Sequence, residues 1–342
     1  MHVATMIAIF TGLITSTILV TASNNWLLAW LSLELNTLTF LPIISKTKHP
    51  RAVEASTKYF LTQAIASCLM LFSSTVNAWQ TGTWEITQMT NEYSSMTMLA
   101  ALTMKAGTVP THFWLPEVMQ GSTLWTTLLI STWQKIAPMS LLFLTSNHIP
   151  PHISLMLGLL STAFGGWGGM NQTQLRKMMA YSSISNMGWT MLVLTSDPKM
   201  SILSIFIYIM TVTPTILLMT RMSTKTLQDV TTTWTTSPTA STMLMLLLLS
   251  TAGLPPLTGF APKLLITNEL LAQNLTPTAI FATMTSLLGL VFYLRTAYLT
   301  TILSSPGSAT STTKWRLKME TKATPLIPFA TTSTTVIPAM IP

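Results

Sequence analysis

The stretch Trp26-Leu-Leu-Ala-Trp30-Leu-Ser-Leu-Glu34-Leu-Asn36-Thr-Leu-Thr-Phe40-Leu-Pro42-Ile-Ile44 decides the fold class. It is mainly apolar, with Glu34 its one charge and Ser32, Asn36, Thr37 and Thr39 its other polar residues, and about 20 such residues in a helix cross the hydrocarbon core of a bilayer. Runs of the same character recur on both sides of it, near 3–21, 56–78, 95–109, 122–144, 152–170, 175–195, 200–220, 241–272, 275–299 and 324–341. Together they predict an all-α polytopic transmembrane bundle of about eleven spans, one integral membrane domain over residues 1–342.

Composition agrees. Charged residues make up 8% of the 342 residues, against about 25% in a soluble domain. Much of the polar remainder is Thr and Ser, which a membrane helix tolerates because the hydroxyl bonds back to its own backbone. The net charge of +8 does not point to nucleic acid, because the bases are scattered between apolar spans rather than gathered into a patch. Cys68 is the only cysteine, so no internal disulfide is available. Its place in an apolar run predicts a small buried hydrophobe. Met1 leads almost directly into the first span without a charged or Arg-rich leader. That predicts insertion where the chain is made, in a bacterial inner membrane or an organelle that makes its own membrane proteins.

Two spans are predicted to break. Residues 241–272 are too long for one straight crossing and contain Gly253-Leu-Pro-Pro-Leu-Thr-Gly259, and the fourth span meets Gly107 and Pro110. Backbone groups freed by a break survive in a bilayer only where protein or trapped water satisfies them, and mid-depth breaks are a habit of transporters. The loops give a topology. Lys46, Lys48, Arg51 and Lys58 follow span two, Arg176 and Lys177 follow span six, and Arg221 and Lys225 follow span eight. Lys314, Arg316, Lys318 and Lys322 follow span ten. All four loops fall on the side of the N-terminus, which the positive-inside rule places inside. The tryptophans Trp26, Trp30, Trp79 and Trp84 read as an interfacial belt. Gly165-Gly-Trp-Gly-Gly169 reads as a span end that would also permit close packing.

Loops do not explain four charges: Glu34 in span two, Lys105 just before the first break, Lys135 in span five and Lys263 just after the second break. Each costs about 2.5–3.5 kcal/mol to place in a span, so four cost on the order of 10 kcal/mol, comparable to the net stability of a domain. Glu34 with Lys105 is explicable as a helix-gluing pair. The remaining lysines have no carboxylate left to pair with inside the spans, and an amine held out of water gives up its proton more readily than one in solution. These residues therefore predict a proton relay. His112, beside the first break, is a further relay candidate and equally a satisfied interfacial histidine. Glu117 reads as a helix-end charge. No phosphate-cradling glycine loop and no Cys or His cluster with metal spacing is present in the sequence, so the sequence carries no visible machinery for nucleotide, flavin, iron–sulfur or metal chemistry.

Five stretches carry a family resemblance. They are His49–Gln63, His112-Phe-Trp-Leu-Pro-Glu-Val118, Asn171-Gln-Thr-Gln-Leu-Arg-Lys177, Ala180-Tyr-Ser-Ser-Ile184 and Gly253-Leu-Pro-Pro-Leu-Thr-Gly-Phe260. In them the chain resembles the antiporter-like membrane subunits of the respiratory NADH:ubiquinone oxidoreductase, complex I, a proton pump, which are related to multi-component sodium/proton antiporters. The loop from Ser304 to Thr324 and the last span match poorly. The resemblance implies inverted helical repeats, each with a broken helix, and a version of the family fold lacking three N-terminal helices. It implies a mitochondrial inner membrane location with the N-terminus in the matrix. It implies neighbouring membrane-arm subunits and lipids as partners. NAD, FMN, iron–sulfur clusters and ubiquinone would then lie in other subunits, with no cofactor bound by this chain. By position, it implies that Glu34 couples to a neighbouring subunit and pairs with Lys105 on the first broken helix, that Lys135 is the central bridging lysine, and that Lys263 leads toward the exit. A sodium/proton antiporter subunit is the rival reading, although sodium sites favour carboxylates and carbonyls over lysines. A non-conducting scaffold is the other.

Overall fold

The computed structural model describes residues 3–302, apart from 237 and 256. The predicted eleventh span and the basic loop before it lie outside the described residues. The described part is built from α-helices: α1 (Val3–Ala22), α2 (Trp26–Ile44), α3 (Pro50–Thr81), α4 (Glu92–Ala106), α5 (Trp114–Gly121), α6 (Leu124–Ser131), α7 (Trp133–Leu144), α8 (Pro151–Met170), α9 (Leu175–Leu192), α10 (Pro198–Arg221), α11 (Leu227–Thr236), α12 (Pro238–Ala252), α13 (Phe260–Ala272) and α14 (Thr276–Ile302). Among the described residues, seven helical stretches are long and apolar enough to cross a membrane.

Local chemistry explains the helix ends. Asn25 caps α2 by accepting from the Leu27 amide at 3.3 Å. Pro50 opens α3, where its missing N–H costs nothing. Gly82 closes α3 in the left-handed region at φ 72°. Within the helices, hydroxyls bond back to carbonyls one turn earlier, as in Ser16 to Leu13, Ser32 to Ala29 and Thr211 to Tyr208. This is how Thr- and Ser-rich spans remain dry.

The helices form two compact units. The first takes the described residues up to Gly158 together with 194–198, and the second takes 159–193 and the residues from Lys199 onward. In the first, α2 packs on α1 and α3, α3 on α4 and α5, and α4 on α7. In the second, α14 packs against α11, α12 and α13, with α9 against α13 and α14. Both units follow one plan. In the first, Asn25, just before α2, forms an isolated antiparallel bridge with Glu85, beyond α3. In the second, Gln174, just before α9, does the same with Thr226, beyond α10. Each bridge is followed by a helix that breaks at a glycine with positive φ: Gly107 at 77° and Gly253 at 81°. Both breaks fall where the sequence puts them.

Several expectations change. The fifth span is not one helix: Thr132 separates α6 from α7. Pro138 cannot donate to the Gln134 carbonyl and crowds it, and the Thr132 hydroxyl takes the Leu128 carbonyl at 2.7 Å. The stretch after α10, read as loop, contains α11. Its start is fixed by Asp229, whose carboxylate accepts from the amides of Lys225 at 2.9 Å and Thr226 at 2.8 Å. Trp79 is 89% exposed, as a belt residue would be, but Trp26 is 0% exposed and belongs to the core. Cys68 is exposed rather than buried. It lies on the outward stripe of α3 with Leu61, Ile65, Leu69 and Phe72, and outward is the apolar direction in a bilayer. The glycines 165–169 fall in the last turns of α8 and also pack closely. A methyl at Gly165 would come within 2.6 Å of the Ser185 amide, and one at Gly169 within 2.8 Å of the Phe292 ring.

Candidate functional site

In the first unit the break after α4 brings polar groups together. Gly107 turns the chain, its amide and that of Thr108 both bonding the Thr103 carbonyl. Trp114, at the start of α5, reaches back to donate its indole N–H to the Met104 carbonyl at 3.2 Å. The break is thus satisfied by protein, and Lys105 is held in the last turn of α4. Lys105 is 6% exposed, and its Nζ has no hydrogen-bond partner among the described residues. It lines a chamber of about 20 Å3 whose wall combines Asn36, Thr37, Tyr59, Gln63 and Gln134 with apolar residues such as Leu33 and Ala137. Tyr59 is wedged between the Phe40 and Trp114 rings, at centroid distances of 5.4 Å and 5.8 Å.

Glu34 lies on α2, and its carboxylate acts electrostatically on both Lys105 and Tyr59. The two charges do not form a direct ion pair: Glu34 Oε2 is buried without a hydrogen-bond partner, as Lys105 Nζ is. The pair expected from sequence is a through-space relationship in this conformation. Lys135 sits in the first turn of α7 at 3% exposure, just after the Thr132 interruption. His112 is also buried, beside the break, with its ring 4.2 Å from that of Phe113. Glu117, further along α5, belongs to the surface. With Glu54 it holds Lys58, each carboxylate at 2.6 Å from the amine.

In the second unit the break after α12 is closed differently. Lys263, in the first turn of α13, folds back over Gly253 and donates to the Ala252 carbonyl at 2.5 Å. This places a cation at the C-terminal end of α12, where the helix dipole is negative. The Trp189 ring centroid lies 6.0 Å from the amine, at the outer limit of a cation–π contact. A smaller chamber of about 10 Å3 adjoins Lys263, lined by Thr162, Ser185, Thr251, Thr285 and Tyr293 among others.

The two breaks align residue by residue. Trp114-Leu-Pro-Glu117 opens α5 as Phe260-Ala-Pro-Lys263 opens α13. Glu117 and Lys263 therefore occupy matching positions, and the lysine of the first break comes instead from the helix before it. Sequence reading selected the charges but missed the neutral amides around Lys105. Asn36 and Gln134 lie within predicted spans, and an uncharged amide carries too small an insertion cost to stand out there.

Comparison with known proteins adds a family. A profile described as NADH:quinone oxidoreductase/Mrp antiporter, TM, matches residues 23–289, and one described as NADH dehydrogenase subunit 2 C-terminus matches residues 290–342. The NADH-ubiquinone oxidoreductase chain 2 of Salmo salar is 49% identical over 91% of this chain and 89% of its own length. That of Varanus baritji is 47% identical over 96% and 95%. Among solved structures, a chain of respiratory complex I from Thermus thermophilus superposes with a TM-score of 0.79 at 22% identity, covering 92% of this chain and 75% of that one. A chain of the Mrp complex from a Dietzia species gives a TM-score of 0.76 at 18% identity, covering 84% and 58%. At such identities these superpositions speak to fold.

Proposed function

Because this chain belongs to the family of NADH:quinone oxidoreductase and Mrp antiporter membrane subunits, we propose that its buried lysines carry protons across the membrane. The chain is a proton-translocating membrane-arm subunit of respiratory complex I, coupled to NADH:ubiquinone electron transfer elsewhere in that complex. It is a multi-pass integral membrane protein.

The observation that carries the relay reading is the placement of Lys105 and Lys263. Each lysine is seated at a helix break beside a small chamber with polar side chains in its wall, Lys105 buried and Lys263 part-buried. Such an amine binds a proton on a nitrogen lone pair and releases it without other covalent change. Glu34 serves as the switch: its carboxylate acts electrostatically on Lys105, and moving it away changes that interaction. Lys135 serves as the bridging carrier, and His112 as an auxiliary one. The redox groups lie in other subunits, and the whole chain acts as one integral membrane domain. The basic loops support a matrix-side N-terminus, and the likeness to animal NADH-ubiquinone oxidoreductase chains supports a place in the mitochondrial inner membrane.

The test is Lys135→Met in the assembled, reconstituted complex. A relay requires fewer protons moved per NADH oxidised. An unchanged ratio would make the subunit a scaffold, and pumping that tracks added sodium would favour cation antiport.

A further inference from the structure

The chamber beside Lys105 is lined by groups that the relay does not itself need. Asn36 on α2 is 2% exposed, and Gln63 on α3 is 4% exposed. Gln134 on α7 donates from Nε2 to Asn36 Oδ1 at 2.9 Å. That bond commits one oxygen and one N–H, leaving the Asn36 amide hydrogens and the Gln134 carbonyl available to a further partner. The hydrogen bond joins residues distant in sequence, within the same unit as the Lys105 break. A buried amide such as Asn36, and a part-buried one such as Gln134, is costly in an apolar span unless its groups are used.

Volume decides what the chamber takes. A water needs at least about 10–15 Å3 of such space and two to four polar partners. At about 20 Å3 this chamber has room for one water. Lys105, Asn36, Gln63 and Gln134 stand in its wall beside apolar residues such as Leu33 and Ala137. The chamber beside Lys263, at about 10 Å3, sits at the lower limit, and its lysine already spends a hydrogen on the Ala252 carbonyl. The two lysines are therefore not equivalent: Lys263 bonds a carbonyl beside its chamber, whereas Lys105 Nζ has no hydrogen-bond partner among the described residues.

We propose that Asn36 and Gln134 form an amide clamp that seats a single water against Lys105, making them positioning residues for proton release from that amine. The assignment rests on the relay reading and deepens it. The water accepts a hydrogen bond from Nζ, while the clamp fixes its orientation from the opposite side. A carrier amine needs an acceptor placed in line before its proton can leave, and misplacing a reacting group by about 1 Å costs as much as a hundredfold in rate.

The experiment compares Gln134→Met and Asn36→Leu, which keep bulk and remove the amides, with the exchanged pair Asn36→Gln/Gln134→Asn, which restores an amide pair of the same summed length. Each is measured in the assembled complex for quinone-linked proton pumping across the pH range, with Lys105→Met as reference. The clamp requires both single variants to lose pumping by at least about tenfold, with an altered pH profile, and the exchanged pair to recover much of it. A map resolving ordered water then shows one water on Lys105 in the parent and none in Gln134→Met. Normal pumping by Gln134→Met and Asn36→Leu, with Lys105→Met inactive, overturns the clamp and leaves the relay standing. Normal pumping by Lys105→Met overturns the relay itself. A uniform loss with an unchanged pH profile and no recovery in the exchanged pair reduces the amides to packing and also overturns the clamp.

Discussion

Lys263 Nζ bonds the carbonyl of Ala252 across the interruption between α12 and α13, so one side chain both carries the buried charge and closes the broken helix. The amine rests on Gly253, whose φ of 81° is open to glycine. Function and fold are therefore coupled at this point: when the lysine loses its charge, the attraction closing the break weakens. Lys105 has no such second task, since Trp114 satisfies the Met104 carbonyl at the first break.

Substitutions at the glycines of the second break separate strain from chemistry. Gly253→Ala places a side chain at positive φ, at a cost of about 1–2 kcal/mol, and pushes against Lys263. Gly259→Ala overlaps the Ser250 carbonyl, and a backbone carbonyl cannot yield as a flexible side chain can. The expected order of melting temperatures for the purified complex is parent, then Gly253→Ala, then Gly259→Ala.

Glu34 and Glu117 should differ in their response to neutralisation. Glu34→Gln removes the charge acting on Lys105, so coupled turnover should fall several-fold at unchanged assembly. Glu117→Gln loosens an exposed network with Lys58, and such contacts contribute little in water. Its turnover and melting temperature should match the parent.

Asp229 makes the start of α11 sensitive to acid. Partial burial opposes its ionisation, but the Lys225 and Thr226 amides outweigh this and hold the carboxyl below its ordinary 3.8. The folded value is the lower one. The cap therefore contributes fully above the unfolded value and is lost as pH falls through the folded one. Amide exchange at Thr226 and along α11 should be slow at about pH 6 and accelerate below about pH 4. Asp229→Ala should show fast exchange at both.

Much of this was legible in the sequence, for physical reasons. Spans are visible because hydrocarbon demands long apolar runs, and Glu34, Lys105, Lys135 and Lys263 stand out because charge is costly there. The breaks were legible from Gly107, Pro110 and the Gly253–Gly259 motif. The α6–α7 interruption was not, because it depends on which acceptor the Thr132 hydroxyl chooses, and most span threonines cause no break. The start of α11 had a signal in Thr226-Leu-Gln-Asp229, the spacing of a capping box, hidden by the polarity of the loop around it. The absence of contact between Glu34 and Lys105 was beyond reach, since opposite charges in neighbouring spans predict a pair and only the packing of α2 against its neighbours sets their separation. Trp26 went astray because a tryptophan at a span end has the same sequence context whether it faces lipid or core.

The most direct test of the proton-carrying role is the number of protons moved per NADH oxidised by reconstituted complex bearing Lys263→Arg. Arginine keeps the positive charge and a donor for the Ala252 carbonyl but does not release its proton. If Lys263 must take and release a proton, the variant assembles and its ratio falls below that of the parent. An unchanged ratio would contradict the account, because the charge alone would then suffice.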